Sequence, residues 1–236
     1  MKFSHLPTPN LQPLEATTTS AGRMYHTPDG DMPSITTVLS RLSHPGIMKW
    51  RRRVGEEEAN KISRKASFRG TRIHKLCEDY INNKEPEFRS PLDKEMFLSV
   101  KPMLDGFVGK VYGQELPLYS KFLGVAGRVD LVSEWDGKLS VIDFKTSNKL
   151  KKREWIDEYF MQSAAYAMAH NQIYGTNISK GVILMCTPDL YFQRFIVEGA
   201  EFQDYAKQWL AKVATFYAKR QEKGIQNPRT IDLLQG

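Results

Sequence analysis

The stretch VAGRVDLVSEWDGKLSVIDFK, residues 125–145, decides the fold, because it predicts a β-hairpin whose register can be counted. Its Asp136-Gly137 pair is typical of a two-residue hairpin turn, in which both residues take positive φ angles. Counting outward from that turn places Asp130 opposite Asp143 on the neighbouring strand. Side chains alternate along a strand, so both carboxylates are expected on the same face of the hairpin.

The two faces of this hairpin differ in character. The face with the two aspartates also carries Arg128 opposite Lys145. The other face is predicted to be apolar and buried, and it consists of Val129, Leu131, Ile142 and Phe144. One side of the hairpin is therefore expected to pack in a core, while the other side presents a charged cluster.

Two carboxylates directly opposite each other have Cβ atoms about 4.5–5.5 Å apart, and their like charges destabilise a sheet. A divalent cation would remove this repulsion, because Mg²⁺ binds a few carboxylates together with water and phosphate oxygens. The alternative is that Arg128 and Lys145 neutralise the pair on a solvated face. The hairpin alone leaves both interpretations open.

Lys145 favours the interpretation with a cation. It lies two residues beyond Asp143 on the same face, where an ammonium group can hold a scissile phosphate and orient an attacking water. An Asp-x-Lys sequence beside a second aspartate combines metal ligands with a positive charge for the charge that develops in phosphodiester hydrolysis. The sequence thus predicts a metal-assisted hydrolytic site on this face.

Composition restricts the class of protein. The chain has 236 residues, 41% of them hydrophobic, which suits one globular domain with a sizeable core. Its formal net charge of +7 favours acidic partners such as nucleic acid, although many basic proteins bind none. Two cysteines are too few for a disulfide framework. No apolar run approaches the length of a membrane span and no signal peptide is recognisable, so we expect a cytoplasmic protein that is not secreted.

The rest of the chain predicts a mixed α/β or α+β fold. Residues 1–20 are interpreted as a loose arm and residues 1–32 as an arm and turn, followed by a single domain over residues 33–236. The catalytic core is expected at about residues 60–200. Periodicity and capping residues predict helices that begin at Ser34 and Ser90, the second with a stripe that extends to Val111, and further helices at about 56–82, 153–172 and 201–222. Strands are predicted at 115–119, along the hairpin, and at 181–186 and 191–197.

Four short motifs, taken in this order, resemble those of the RecB-type branch of the PD-(D/E)xK nuclease superfamily. They are GTRIH at residues 70–74, GRVD at 127–130, DFKTS at 143–147 and QSAAY at 162–166. Together with PSITTVL at residues 33–39, they look like the group of the mitochondrial genome maintenance exonucleases and phage-encoded exonuclease relatives. The resemblance covers about residues 33–170.

This resemblance implies a restriction-endonuclease-like core, with a mixed central sheet flanked by helices and extra helices at the N-terminus. It implies that one or two Mg²⁺ or Mn²⁺ ions bind Asp130, Asp143 and the backbone carbonyl of Phe144, with Lys145 as the catalytic lysine. His74, the histidine of the GxxxH motif, is carried over as a further ligand and catalytic residue. Several relatives hold an iron–sulfur cluster with four cysteines, which two cysteines cannot build, so we expect no such cluster.

The resemblance also indicates supporting residues. Glu115 is a further candidate ligand, because relatives often have an acidic residue in this region, but a surface charge is an alternative. Glu78 lies one turn after His74, either beside the metal site or as a solvated charge. Gln162 and Tyr166 share a helix face that, in the family, packs beside the active site and touches the DNA strand; a purely structural role for Tyr166 is equally open.

Basic and hydroxyl side chains near the catalytic strand are expected to bind the DNA backbone. A basic run before a helix is a good phosphate-binding element. The expected DNA-binding residues outside the helix motif are Thr146, Ser147, Lys149, Lys151, Lys152 and Arg72. A charge run of this kind is also compatible with a solvated surface.

The sequence therefore predicts a monomeric, metal-dependent DNA exonuclease that acts on single-stranded ends. Phage or organellar-type replication, recombination or repair is the expected setting, with replication or recombination proteins as further partners. One alternative is an endonuclease, or an exonuclease that digests duplex DNA in recombination, with the same active site. The other is a catalytically silent DNA-binding module. A circular single strand distinguishes exonuclease from endonuclease, and an activity assay excludes or supports the silent module.

Overall fold

The structure, a computed structural model, describes residues 2–7, 13–41 and 44–222. Fourteen helices and strands lie in this part of the chain. In chain order they are β1 (Ala16–Thr19), β2 (Gly22–Thr27), β3 (Gly30–Pro33), α1 (Ile35–Arg41), α2 (His44–Val54), α3 (Glu56–Ile81), α4 (Pro91–Phe107), β4 (Val108–Ser120), β5 (Val125–Trp135), β6 (Lys138–Thr146), α5 (Asp157–Tyr174), β7 (Lys180–Cys186), β8 (Phe192–Glu198) and α6 (Gly199–Gln221). A single 3-10 turn spans Arg153–Trp155.

The central sheet has five strands in the order β4-β5-β6-β7-β8. Strand β5 is antiparallel to both β4 and β6, β6 and β7 are parallel, and β8 is antiparallel to β7. The crossover between the parallel strands is α5, as parallel pairing requires. The predicted mixed central sheet is therefore confirmed, and the order of helices and strands from α3 onward is the predicted one.

Helices cover both faces of this sheet and create two hydrophobic cores. One core packs α1, α5 and α6 against the sheet, with Phe160 and Trp209 fully buried. The other core packs α3 and α4 against the opposite face, with Ile73 and Phe97 inside it. Every residue of β7 is buried, because that strand lies between the two helical layers. The aromatic residues of α6 belong to the first core, as predicted.

The predicted helix caps at Ser34 and Ser90 are confirmed. The Ser34 hydroxyl accepts a hydrogen bond from the Thr37 amide at 2.9 Å. The Ser90 hydroxyl accepts one from the Asp93 amide at 3.2 Å, with Pro91 in the first turn. These bonds satisfy amides that the helix itself leaves unpaired.

The hairpin forms with the predicted register, from Trp135 opposite Lys138 to Leu131 opposite Ile142. Asp136 and Gly137 both have positive φ angles, as a tight hairpin turn requires. The prediction of one shared apolar face was wrong at Val129, which packs in the first core whereas Leu131 packs in the second. The alternation of side chains changes phase between these two residues, so simple counting fails beyond Leu131.

Two element boundaries also differ from the predictions. The helix before the sheet ends at Phe107, and Val111 belongs to β4, which begins well before the predicted strand. The apolar stripe continued into the strand because Val111 faces the same core as α4. The predicted helix at 153–172 begins at Asp157, after the 3-10 turn, and Trp155 lies outside it with 60% of its surface exposed.

The expectation of a loose arm over residues 1–20 was wrong for the described residues. Strands β1, β2 and β3 form a separate antiparallel sheet. Ahead of them, Phe3 is buried in the second core, and Leu6 donates its amide to the Val111 carbonyl at 2.8 Å. An apolar side chain and a row of β-branched threonines outweigh the prolines that favoured an arm. Residues 8–12 lie outside the described part of the chain.

Among the described residues, no helix combines the length and apolar character that crossing a membrane requires.

His170 gives a testable consequence of burial in the first helical layer. Its side chain is 1% exposed, its Nδ1 lies 2.8 Å from the Thr176 hydroxyl, and its Nε2 has no hydrogen-bond partner among the described residues. Burial lowers the pKa of His170 to about 4, below the ordinary value near 6.5. The unfolded chain therefore binds more protons than the folded chain between these two values.

We expect this histidine to make folding less favourable as the pH falls from about 6.5 towards 4. Between pH 7 and pH 4.5 it removes about 2–3 kcal/mol from the free energy of unfolding. Urea unfolding of the wild type and of His170→Gln at both pH values measures this, because the variant lacks the titrating group. Equal losses of unfolding free energy between pH 7 and pH 4.5 in the wild type and the variant would contradict this role of His170.

Candidate active site

A pocket of about 430 Å³ opens where β5 and β6 separate beyond the hairpin. Side chains from α3, α5, β4, β5, β6 and the N-terminal sheet line it. They include three of the four predicted catalytic residues, His74, Asp130 and Lys145, together with the candidate ligand Glu115 and the predicted DNA-binding residues Gln162 and Tyr166. Asp143 lies behind this lining and is 2% exposed.

The separation of the two strands begins at Asp130. The last register pair of β5 and β6 is Leu131 with Ile142. One residue further, the Asp130 carboxylate accepts a hydrogen bond from the Phe144 amide at 2.9 Å. The Phe144 amide, which in regular strand pairing would donate to a carbonyl of β5, therefore donates to the Asp130 side chain. The open end of the hairpin exposes Asp130 to the pocket.

Asp130 pairs with His74 from α3. The Nδ1 atom of His74 lies 3.3 Å from Asp130 Oδ2. Burial opposes protonation of the imidazole, but the adjacent carboxylate outweighs burial and raises the pKa of His74. Burial also opposes ionisation of Asp130, and the imidazole outweighs it, so the pKa of Asp130 is lowered. The pair thus favours an ionised carboxylate facing the pocket.

Glu115 lies opposite Asp130 in the register of β4 and β5, between the pairs on either side of it. Its φ angle is +46°, an unusual value for a residue with a side chain. Arg128 Nε lies 2.6 Å from Glu115 Oε2. Burial raises the pKa of Glu115. Strained backbone of this kind is typical of functional sites.

His74, Glu115 and Asp130 each offer one ligand atom, and these atoms lie within 4.8 Å of one another. Among the described residues, this is the group of histidine, cysteine and acidic side chains that is close enough to hold one ion. An imidazole nitrogen with two carboxylate oxygens fits Mn²⁺ or Mg²⁺. The structure thus brings the candidate ligand Glu115 together with two of the predicted ligands.

Asp143 has a different environment from Asp130. Lys145 Nζ lies 2.6 Å from Asp143 Oδ2, and Gln162 donates to Oδ1 at 3.2 Å. Burial raises the pKa of Asp143, although the ammonium group opposes the rise. The charge of Asp130 raises it further, which shows that the two carboxylates are close.

The two acids therefore have basic partners, as the alternative interpretation expected, although Lys145 is the only one of the two expected basic residues that binds them. Each has its own basic partner, His74 for Asp130 and Lys145 for Asp143. Arg128 was also predicted to lie opposite Lys145. In the structure its side chain instead binds Glu115 on β4, the other strand next to β5. The structure does not bring Asp143 into the three-donor group, since Lys145 and Gln162 engage its oxygens. The Phe144 carbonyl stays a predicted ligand.

The helix motif on α5 packs beside the site, as predicted. Gln162 binds Asp143, and the Tyr166 ring lies so close to Gly127 that an added Cβ would stand 2.7 Å from it. The glycine of GRVD is therefore required for a close approach of β5 and α5. Tyr166 is 4% exposed, so its structural role is evident.

Some of the expected DNA-binding residues are engaged in contacts within the protein, and others are exposed. Arg72 points away from the pocket and binds the buried Asp93 carboxylate at 2.8 Å. The Ser147 hydroxyl donates to the Lys149 carbonyl at 2.7 Å and shapes the turn after β6. Thr146 is half-buried beside Gly70. The side chains of Lys149 and Lys152 are exposed, and Lys151 is half-buried.

Sequence reasoning missed the N-terminal wall of the pocket. Arg23 and Tyr25 of β2, with Ser34 and Thr36 at the start of α1, line it opposite α3. The isolated bridge between Ser34 and Ala126 joins this wall to β5. The resemblance of residues 33–39 to family members was the one signal for this contribution, because the strands before it were taken for an arm.

Comparisons with known proteins identify relatives of this chain. The chain is 28% identical over 214 residues to mitochondrial genome maintenance exonuclease 1 of Homo sapiens, which covers 84% of this chain and 61% of that protein. It is 26% identical over 220 residues to the Xenopus tropicalis protein of the same name, covering 85% and 62%. The chain thus spans about three fifths of the length of these relatives.

A solved structure and a family profile complete the comparison. A crystal structure of a candidate exonuclease from Eubacterium rectale aligns with a TM-score of 0.48 and 14% identity, over 69% of each chain. The profile of the PD-(D/E)XK nuclease superfamily matches residues 50–229, which contain the five-stranded sheet and all the residues of the three-donor group. This chain belongs to the PD-(D/E)XK nuclease superfamily.

Proposed function

We propose that this protein is a metal-dependent DNA exonuclease that hydrolyses phosphodiester bonds from single-stranded ends. The observation that carries the proposal is the position of a three-donor group, His74, Glu115 and Asp130, beside the buried Asp143–Lys145 ion pair. The names of the relatives, which are exonucleases, support the same reaction.

The donor group supports a divalent cation on chemical grounds. Two carboxylates and one imidazole in a half-exposed pocket leave room for water and phosphate oxygens, as Mg²⁺ and Mn²⁺ sites do. Asp143 and the Phe144 carbonyl are proposed as further ligands, and either one or two ions are compatible with this number of donors. A bound cation would polarise the phosphate and lower the pKa of a water molecule.

The residues of the chain then have separate roles in the hydrolysis. Asp143 raises the pKa of Lys145 although burial opposes the rise, so the ammonium group stays charged. That charge can bind a non-bridging phosphate oxygen and stabilise the transition state. His74 holds Asp130 in place through the 3.3 Å contact, and Gln162 holds Asp143. These contacts fix the acids before the substrate arrives.

The Lys145 ammonium is placed by two neighbours. It lies 2.6 Å from Asp143 Oδ2 and 5.1 Å from the centroid of the Tyr159 ring. A cation over an aromatic ring is attracted to its face. Tyr159 therefore helps to hold the lysine at the pocket, and its loss is expected to affect the rate more than the affinity for DNA.

We further propose that the enzyme acts as a monomer in phage or organellar-type DNA replication, recombination or repair, in the cytoplasm of a host cell in the phage case. The net charge of +7 supports an acidic polymer as substrate. Residues 33–236 are proposed as the nuclease domain, with the N-terminal sheet as an extension that completes the pocket wall.

Neutral variants of the ion pair test the reaction. We expect Asp143→Asn and Lys145→Met each to reduce cleavage of a labelled single strand by at least about a hundredfold with Mg²⁺ or Mn²⁺. Each single change leaves one buried charge without its partner, which also destabilises the fold. The double variant Asp143→Asn/Lys145→Met removes both charges and is the better-folded inactive protein.

Lys138→Ala, at the opposite end of β6, is the matched control and is expected to keep full activity. Thermal unfolding of every variant separates loss of activity from loss of structure. The proposed function would be contradicted by a well-folded double variant that still cuts DNA. It would also be contradicted by a wild type that cuts no DNA with any divalent cation in the absence of chelator.

Calorimetry tests the metal site directly. We expect Glu115→Gln and His74→Ala to weaken Mn²⁺ binding by about 10–100-fold, because each removes one donor from the group. Glu134→Gln, further along β5, serves as the control for loss of an acidic side chain. Unchanged binding in both site variants would show that these residues hold no cation.

A circular substrate tests the requirement for ends. We expect a linear single strand to be digested and a closed single-stranded circle of the same sequence to survive in the same reaction. Strands labelled at the 5′ or the 3′ end then give the polarity. Rapid cutting of circles would instead assign an endonuclease, and preference for a duplex would assign the recombination type of exonuclease.

A further inference from the structure

An exposed apolar surface lies at the edge of the sheet where β6 and β7 end. Trp155 is 60% exposed and Leu150 is 48% exposed, both on the segment of residues 147–155 that follows β6. Tyr191 is 58% exposed and Leu190 is 46% exposed on the turn that follows β7. We call these residues, with Lys152, the Trp155 surface. Isolated exposed apolar residues are ordinary, but several on two adjoining segments indicate an interaction site.

Hydrogen bonds hold the two segments side by side. The Ser147 amide donates to the Cys186 carbonyl at 3.1 Å, at the ends of the two parallel strands. The Gln193 side chain accepts from the Lys151 amide at 2.8 Å and donates to the Lys151 carbonyl at 2.9 Å. The segment after β6 therefore crosses β7 and is fixed to the start of β8. The surface is part of a rigid edge and is not an unattached loop.

The turn after β7 is held in an unfavourable conformation that exposes its apolar residues. Leu190 has a φ angle of +63°, a region that a leucine rarely occupies. Its amide donates to the Thr187 carbonyl at 2.9 Å, and the Thr187 amide donates to the Tyr191 carbonyl at 3.0 Å. Such strain persists where the exposed side chains have a use.

The charge of the Trp155 surface indicates which kind of partner it binds. Residues 148–155 contain four basic residues and one acidic residue, Glu154. Lys152 Nζ lies 5.5 Å from the centroid of the Trp155 ring, so a cation stands over an exposed indole. Basic groups that alternate with exposed aromatic rings are the elements with which proteins bind single-stranded nucleic acid, through phosphates and stacked bases. Arg153 pairs with Glu201, so the exposed Lys149 and Lys152 are the basic groups that phosphates would meet on this surface.

The segment of the Trp155 surface starts beside the pocket, because Arg69, the neighbour of the lining residue Gly70, donates to the Asn148 side chain at 2.5 Å. Trp155 itself lies in the 3-10 turn before α5, four residues ahead of Tyr159 in the first turn of that helix. The Tyr159 ring contacts the Lys145 ammonium at 5.1 Å. The turn that carries Trp155 and the helix start that contacts the Lys145 ammonium are therefore consecutive parts of the chain.

We propose that the Trp155 surface binds single-stranded DNA next to the active site, with a base stacked on the Trp155 indole and phosphates bound by Lys149 and Lys152. This inference rests on the proposed function for the identity of the polymer, but binding is measured without cleavage. An indole face accepts every base, so the contact carries no sequence preference. The surface accounts for a preference for single strands, because the bases of a duplex are not free to stack on a side chain.

Quenching of tryptophan fluorescence by unlabelled oligo(dT) tests this binding. EDTA is present to prevent cleavage. Trp135 and Trp209 are 1% and 0% exposed and Trp50 is half-buried, so the exposed Trp155 is expected to give most of any quenching by DNA, and Trp50→Phe is the control for the remaining indole. We expect oligo(dT) to quench the wild type and Trp155→Phe to lose the larger part of that quenching. Anisotropy of a labelled oligo(dT) is then expected to show about ten- to a hundredfold weaker binding for Trp155→Ala and near-wild-type affinity for Trp155→Phe.

Two further variants separate stacking from general effects. Trp155→Leu keeps an apolar side chain without a ring and is expected to bind as weakly as Trp155→Ala. Lys110→Ala removes a charge at the opposite edge of the sheet and is expected to bind better than Lys152→Ala. Equal affinities for oligo(dT) in the wild type and Trp155→Ala, or binding fully kept by Trp155→Leu, would overturn the proposal. A protein that binds oligo(dT) through Trp155 but cuts no DNA would keep this inference and reject the proposed activity.

Discussion

Asp130 accepts the amide hydrogen of Phe144, and the pocket depends on that hydrogen bond. In a regular hairpin, each amide on this side would bind a carbonyl of the facing strand. Here a carboxylate takes the amide, so the two strands separate at the open end of the hairpin. The acids on the two strands are then free to find different partners, and a site with two distinct acidic environments results.

The different environments of the two acids have an energetic cost. Asp143 and Lys145 form an ion pair in a largely buried place, where the desolvation of both charges offsets much of their attraction. A pair of apolar residues would stabilise the fold at least as well. The pair is understandable as part of a site that is organised before the substrate binds, supported by the half-buried Tyr159 and the buried Gln162.

Much of the fold could be predicted, because local signals agreed with one another. The turn at Asp136-Gly137 fixed the hairpin register, and caps at Ser34 and Ser90 placed two helix starts. The N-terminal strands were not predicted, although they pair locally, because they are short and mostly exposed and so lack a clear alternation of buried apolar residues. Prolines and threonines near the start are compatible with an arm as well as with an edge sheet.

The residues of the site could be predicted better than the pairs of side chains that bind one another. Motif order indicated His74, and counting from the turn indicated Asp130 and Asp143. The phase change after Val129 could not be read from alternation, because it depends on Glu115 opposite and its positive φ angle. The pairing of Asp130 with His74 was therefore not indicated by the sequence. The exposure of Trp155 was also hidden, since its spacing fits a helix stripe as well as a surface turn.

The segment at residues 2–7 has a consequence for the outer strand of the sheet. Ser4 and Leu6 form backbone hydrogen bonds with Val111 of β4, each at 2.8 Å. An uncovered edge strand presents free amides and carbonyls to other chains and so promotes aggregation. By covering part of that edge with residues 2–7, the chain protects itself from self-association through sheet extension, and disruption of these contacts would make it less soluble long before it disturbed the active site.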